Sequence, residues 1–176
     1  MDNIALGPDA QANHTLAVLR GDTMDGTLGK NVEFLPGLTL RADPALDLQG
    51  TWRSPPGRLL ELEAAPGAPG DWIGLHLTLP LADLAGIGSV GFAARASASK
   101  TTVLRACFRS GVGRGFVDTF FDKQLLLRPE EASHVDVLAP RMRADMPERA
   151  PWRELIFFLP TEAFRIALID LRVFAV

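Results

Sequence analysis

The chain has 176 residues, 47% hydrophobic and 22% charged, which suits one domain burying roughly two thirds of its unfolded surface. Its net charge of −3 argues against a general nucleic-acid binder, which needs a basic surface. The lone cysteine, Cys107, excludes an internal disulfide and a multi-cysteine zinc site.

Met1 to Asp9 carries an acidic residue where an export signal needs positive charge, and Gly7-Pro8 interrupts it. No signal peptide is read there, and localisation stays open. The expected organisation is a single domain over 1–176, with residues 1–12 as a loose N-terminal arm. Alternating apolar residues predict strands at Thr15 to Arg20, Leu38 to Leu40, Leu46 to Leu48 and Leu60 to Leu62. Ser54-Pro-Pro-Gly57 reads as a turn and Ala65 to Gly70 as a loop.

Leu75, Leu77 and Leu79 alternate with His76 and Thr78, which predicts a strand with one buried face that ends at Pro80. Leu81 to Gly86 reads as one helical turn. In the next strand Val90, Phe92, Ala94 and Ala96 share a phase, and Ser97 to Lys100 is the turn into another strand. There Leu104, Ala106 and Phe108 face one way and Arg105, Cys107 and Arg109 the other. Further strands follow at Phe116 to Phe121, Val135 to Leu138, Leu155 to Leu159 and Phe164 to Val173. The phase change between Leu168 and Leu171 predicts a bulge. At least nine short strands at roughly 8 to 12-residue spacing predict an all-β antiparallel sandwich or jelly roll, with less than about 15% helix. The longest apolar runs are too short and too charged to insert in a membrane.

Several of these segments carry a resemblance. Gly70-Asp-Trp72 leading into Leu75 to Leu79, Thr102 to Arg109 before a glycine turn and Phe116-Val-Asp118, Trp152 to Pro160, and the closing Ile169-Asp-Leu-Arg-Val173 together resemble bacterial carbohydrate-binding modules of the galactose-binding-like jelly-roll type. The resemblance covers about residues 35–176. It implies a non-catalytic sandwich that presents saccharides to a sheet face or to end loops, with carbohydrate as partner. It also implies a structural calcium near the closing strand with Asp170 as a ligand, although Ile169 and Leu171 flank Asp170 where many relatives place a second acidic residue.

A sugar site needs an exposed aromatic surrounded by planar hydrogen-bonding groups. With the leucine phases facing the core, His76, Arg95, Arg105 and Arg109 point outward, and Asp118 is positioned to join them. The expectation is that His76, Arg95 and Arg105 lie side by side on one sheet and bind an anionic or hydroxyl-rich saccharide. The competing reading is that these arginines pair with carboxylates on a solvated face. Trp52, beside Arg53 and the Pro-Pro-Gly turn, is the preferred platform over Trp72 and Trp152.

Catalytic patterns are weak. His14, His76 and His134 lack metal-ligand spacing, and Gly111-Val-Gly-Arg-Gly115 lacks the Lys-Ser/Thr ending of a phosphate loop. Asp118 with Asp122, or Glu61 with Glu63, keeps open a polysaccharide-active jelly-roll enzyme. A structural or assembly domain that docks a protein through Phe116, Phe120 or Phe121 is the third reading.

Overall fold

A computed structural model describes residues 7–176. One helix, α1 (Ala10–Gly21), precedes β1 (Met24–Leu28), β2 (Asn31–Leu35), β3 (Leu38–Ala42), β4 (Leu48–Ser54), β5 (Leu60–Pro66) and β6 (Ile73–Leu79). Then come β7 (Val90–Ala98), β8 (Thr102–Val112), β9 (Gly115–Phe120), β10 (Leu125–Leu127), β11 (Ala132–Leu138), β12 (Arg153–Leu159) and β13 (Phe164–Ala175).

The strands form two antiparallel sheets. One has six strands in the order β1-β4-β5-β13-β7-β11; the other has seven, with β10-β8-β12-β6-β3-β2 in line and β9 also paired to β8. This is the expected β-sandwich jelly roll, and among the described residues the one α-helix has 12 residues, which keeps helix content low.

Alternation builds the core as the sequence predicts. Phe92, Leu104, Phe108, Phe157, Phe164 and Ile166 are all buried between the sheets, and Leu168 packs against them half-buried. Phe92 sits at the centre, meeting Phe121 and Phe157 edge-on with ring centroids 4.9 and 5.0 Å apart. The predicted bulge is present: the β13–β7 register shifts between Leu168 and Asp170, which exchanges the buried phase from Leu168 to Leu171.

Four local expectations are corrected. Thr15 to Arg20 is helical, because Ala12, Leu16 and Leu19 recur at helical spacing and bury one stripe. The loose arm therefore does not extend through residue 12: α1 opens at Ala10 and Ala12 is buried, while residues 1–6 lie outside the described residues. Leu46 ends a short 3₁₀ turn that starts at Pro44, Asp47 takes φ 45°, and the strand begins at Leu48. Leu81 to Gly86 forms no helical turn; Asp83 instead accepts a hydrogen bond from the Ala85 amide at 2.7 Å.

α1 has a structural task. β5 pairs with β13 only along Phe164 to Leu168, so beyond the bulge β13 loses a neighbour on that side. Asn13 substitutes for it: its side chain donates to the Val173 carbonyl at 2.7 Å and accepts from the Val173 amide at 3.0 Å. Leu16 and Leu19 close the core beside it.

His134 and Glu154 give stability a pH dependence. Burial lowers the His134 pKa below its ordinary 6.5, outweighing the nearby Asp136, with Lys123 adding to the lowering. Its neutral ring stacks on Phe92 at 5.7 Å. Burial raises the Glu154 pKa, but the hydrogen bond and charge of His76, with Arg41 and Arg109, outweigh this and hold it below its ordinary 4.5. Both folded states bind protons less readily than the unfolded chain, so each contribution is complete at high pH. The His134 contribution is expected to fall as pH drops below about 6.5, and that of Glu154 below about 4.5. Urea midpoints measured from pH 8 to 4 check this, and His134→Gln should remove the upper step alone. A profile flat down to pH 5 would contradict it.

Candidate functional site

The outer face of the seven-stranded sheet collects residues from six strands. Successive registers align Thr39, His76, Ile156, Cys107 and Phe120 in one row across β3, β6, β12, β8 and β9. A second row holds Thr78, Glu154, Arg109 and Asp118, and a third Arg41, Gly74, Phe158 and Arg105. Glu33 of β2 lies at the margin, paired with Thr39.

The floor is dry. Ile156 and Cys107 are fully buried, and burial, reinforced by Asp118, pushes the Cys107 thiol up to about 12, so it remains protonated and unreactive. His76 is only 4% exposed. Its Nδ1 lies 2.9 Å from Glu154 Oε2, and Arg41 reaches Glu154 Oε1 at 3.2 Å. The His76 ring leans over Gly74, where any Cβ would collide with Nε2, an atom that has no hydrogen-bond partner.

Aromatic rings rise at one end. Phe116 is 52% exposed and Trp152 is 42% exposed. They flank Gly111, whose strand partner is Phe116 and whose amide donates to the Trp152 carbonyl at 3.0 Å. The missing Cβ at Gly111 is what lets the indole lie down, since an added methyl group would overlap it. Beneath Phe116, the Arg109 guanidinium sits 3.8 Å from the ring centroid and grips Asp118 with two bonds of 2.6 and 2.7 Å. Arg109 and Asp118 thus support the platform. At the other end Trp72, 38% exposed, precedes β6 in the phase of Gly74 and His76. The six steps from Trp72 to Thr78 span about 20 Å of extended chain.

Gly111→Ala should therefore displace the Trp152 ring, with a stability change under about 1 kcal/mol because the ring is exposed. Indole fluorescence and urea denaturation read the two effects, and an unchanged indole emission would contradict the contact.

Of the residues singled out from sequence, His76, Arg105, Arg109 and Asp118 share this face. Arg95 does not: β7 belongs to the six-stranded sheet, so Arg95 is exposed on the opposite side of the sandwich, 4.0 Å from Glu131. The expected row of His76, Arg95 and Arg105 on one sheet is thus corrected. Trp52 is no exposed platform either. It points inward in the phase of Leu48 and Ser54 and packs edge-on against Phe34 at 4.8 Å. The sequence reading missed Arg41 and Glu154 and ranked Trp152 below Trp52, although alternation from buried Leu155 and Phe157 places Trp152, Glu154 and Phe158 outward.

Asp170 forms an ion pair with Arg20 and lies 3.7 Å from Arg172. Among the described residues no group of three or more His, Cys, Asp or Glu side chains converges. Two guanidinium groups around one carboxylate do not fit a calcium site, since a cation there would face cations in place of oxygen donors.

The opposite face of the sandwich has a cleft of about 780 Å³ over β4, β5 and β13. Its arginines are already matched, Arg53 and Arg58 to Glu61 at 2.5 and 2.9 Å and Arg165 to Glu63 at 2.5 Å. No exposed aromatic side chain lines it.

No protein-family model matches the chain, and no curated protein matches it. Solved structures do match in fold. The CBM22-1 xylan-binding domain from Paenibacillus barcinonensis superposes with TM-score 0.52 at 12% identity, covering 88% of this chain and 95% of that one. A family 30 carbohydrate-binding module of a Clostridium thermocellum cellulosomal cellulase gives 0.51 at 12% identity, covering 86% and 90%. A family 11 module from Clostridium thermocellum, in complex with a β-1,3-1,4-mixed-linked tetrasaccharide, gives 0.50 at 10% identity, covering 85% and 94%. The jelly-roll sandwich is the fold of these carbohydrate-binding modules. No helix among the described residues is long and apolar enough to cross a membrane.

Proposed function

We propose that the protein is a non-catalytic carbohydrate-binding module that holds an oligosaccharide along the outer face of its seven-stranded sheet. The observation that carries this reading is the exposed pair Phe116 and Trp152 around Gly111, continued along the sheet by planar polar groups toward Trp72. Pyranose rings present an apolar C–H face and a rim of hydroxyls, so flat aromatics with guanidinium and carboxylate groups beside them match both parts. The fold supports the same reading, because modules of this architecture include a xylan-binding domain and one in complex with a mixed-linked tetrasaccharide.

Hydrolysis at this face would need a protonated carboxylic acid opposite an ionised one. Glu154 is held ionised by His76 and Arg41, and both carboxylate oxygens of Asp118 are occupied by Arg109 N–H donors. Neither is poised as a general acid. Calorimetric titration with xylo-oligosaccharides and mixed-linkage β-gluco-oligosaccharides tests the proposal. Saturable binding without release of reducing ends is expected; cleavage of either probe would overturn it.

A further inference from the structure

Arg105 differs from the other cations of this face. Arg41 is bound to Glu154 and Arg109 to Asp118, whereas Arg105, among the described residues, has neither an ion-pair nor a hydrogen-bond partner and is exposed. It is nevertheless held in place. Its guanidinium carbon lies 4.0 Å above the centroid of Phe120, whose ring stacks on Phe158 at 5.9 Å. Stacking on a ring restricts the long side chain and leaves the edge N–H groups free to donate.

The surrounding carboxylates do not neutralise it. Asp122, which follows β9 toward Arg105, is engaged by Arg143 at 2.8 Å, and Arg143 also takes Asp145 at 3.2 Å. Asp118 is consumed by Arg109. Glu33 lies four strand spacings away, about 19 Å, which exceeds the screening length of about 10 Å at 0.1 M salt.

We infer that Arg105 is a specificity residue for an acidic saccharide: a uronic-acid carboxylate on a chain lying along the sheet docks on its free guanidinium edge. This rests on the carbohydrate-binding reading and adds the substrate class to it. A carboxylate offers two oxygens at the spacing of two parallel guanidinium N–H groups, a match that a neutral sugar hydroxyl meets only in part. A fixed, unpaired guanidinium also makes the interaction fall with salt.

The test is titration of the whole chain with a glucuronic-acid-substituted xylo-oligosaccharide and with its unsubstituted counterpart of equal length, at low and at 0.5 M salt. The acidic probe should bind at least tenfold more tightly, and the difference should shrink in high salt. Arg105→Gln should abolish the preference by weakening the acidic probe far more than the neutral one, whereas Arg165→Gln, on the opposite sheet, should leave the preference intact. If both probes bind the parent equally, the assignment of Arg105 fails and carbohydrate binding stands. If neither binds, the reading beneath it fails as well. Displacement of the acidic probe by a poly-glutamate peptide at equal carboxylate concentration would also overturn it, by reducing Arg105 to a general anion contact.

Discussion

Replacing Arg153 by Met is expected to destabilise the fold by about 3–5 kcal/mol, the summed cost of leaving several buried carbonyl and hydroxyl groups without their charged donor. Arg153 shares the inward phase of Leu155 and is 0% exposed. Its Nε donates to the Leu81 carbonyl at 2.6 Å, one Nη bonds Ser110 Oγ, and the other reaches the Pro147 and Glu148 carbonyls at 2.6 and 3.0 Å. Burial holds its pKa below the usual arginine range, with only Asp83 opposing, yet a guanidinium stays charged at any pH a protein survives. One side chain therefore ties the loop after β6 and the loop before β12 to the end of the sandwich. Methionine fills the stem but leaves those acceptors dry and unpaired. Ser110→Ala removes a single bond and should cost about 1 kcal/mol. Urea denaturation separates the two, and a loss under 1 kcal/mol for Arg153→Met would show that water replaces the guanidinium without penalty.

Trp152→Ala should lower saccharide affinity about 30-fold, corresponding to roughly 2 kcal/mol for losing an aromatic anchor at a binding surface. Because Trp152 is exposed, stability should change by less than about 1 kcal/mol. Phe116→Ala should act in the same direction and less strongly, since Arg109 already covers one face of that ring. The two effects should not add, as both rings border Gly111. Trp52→Ala should show the opposite pattern: lost stability from an emptied core position beside Phe34, with affinity per folded molecule little changed.

What the sequence revealed follows from where its signals are local. Alternation assigns a face residue by residue, so the core phases of β7, β8 and β12 and the bulge in β13 were readable. Sheet membership is a non-local property. Ser97 to Lys100 resembles a hairpin turn, but β7 pairs with β13 and β11 while β8 pairs with β12, β9 and β10, so the chain crosses between sheets there. Arg95 was therefore given the right orientation and the wrong sheet. For Trp52, the turn that follows it outweighed a phase that could have been counted from Leu48. In α1, Leu16 and Val18 imitate a strand, and only Ala12 and Leu19 disclose the helical period. The burial of His76 had no sequence signal, because Gly74, which gives its ring room to lean, acts from the same strand without a side chain of its own.

The most direct measurement is an NMR titration of the isotopically labelled protein with a xylo-oligosaccharide and with a mixed-linkage tetrasaccharide. The outer face of the seven-stranded sheet is the binding surface if the largest amide and side-chain shifts fall on Trp72, His76, Arg105, Gly111, Phe116 and the Trp152 indole. Shifts confined to Arg53, Glu61, Glu63 and Arg165, around the cleft of the six-stranded sheet, would contradict the account.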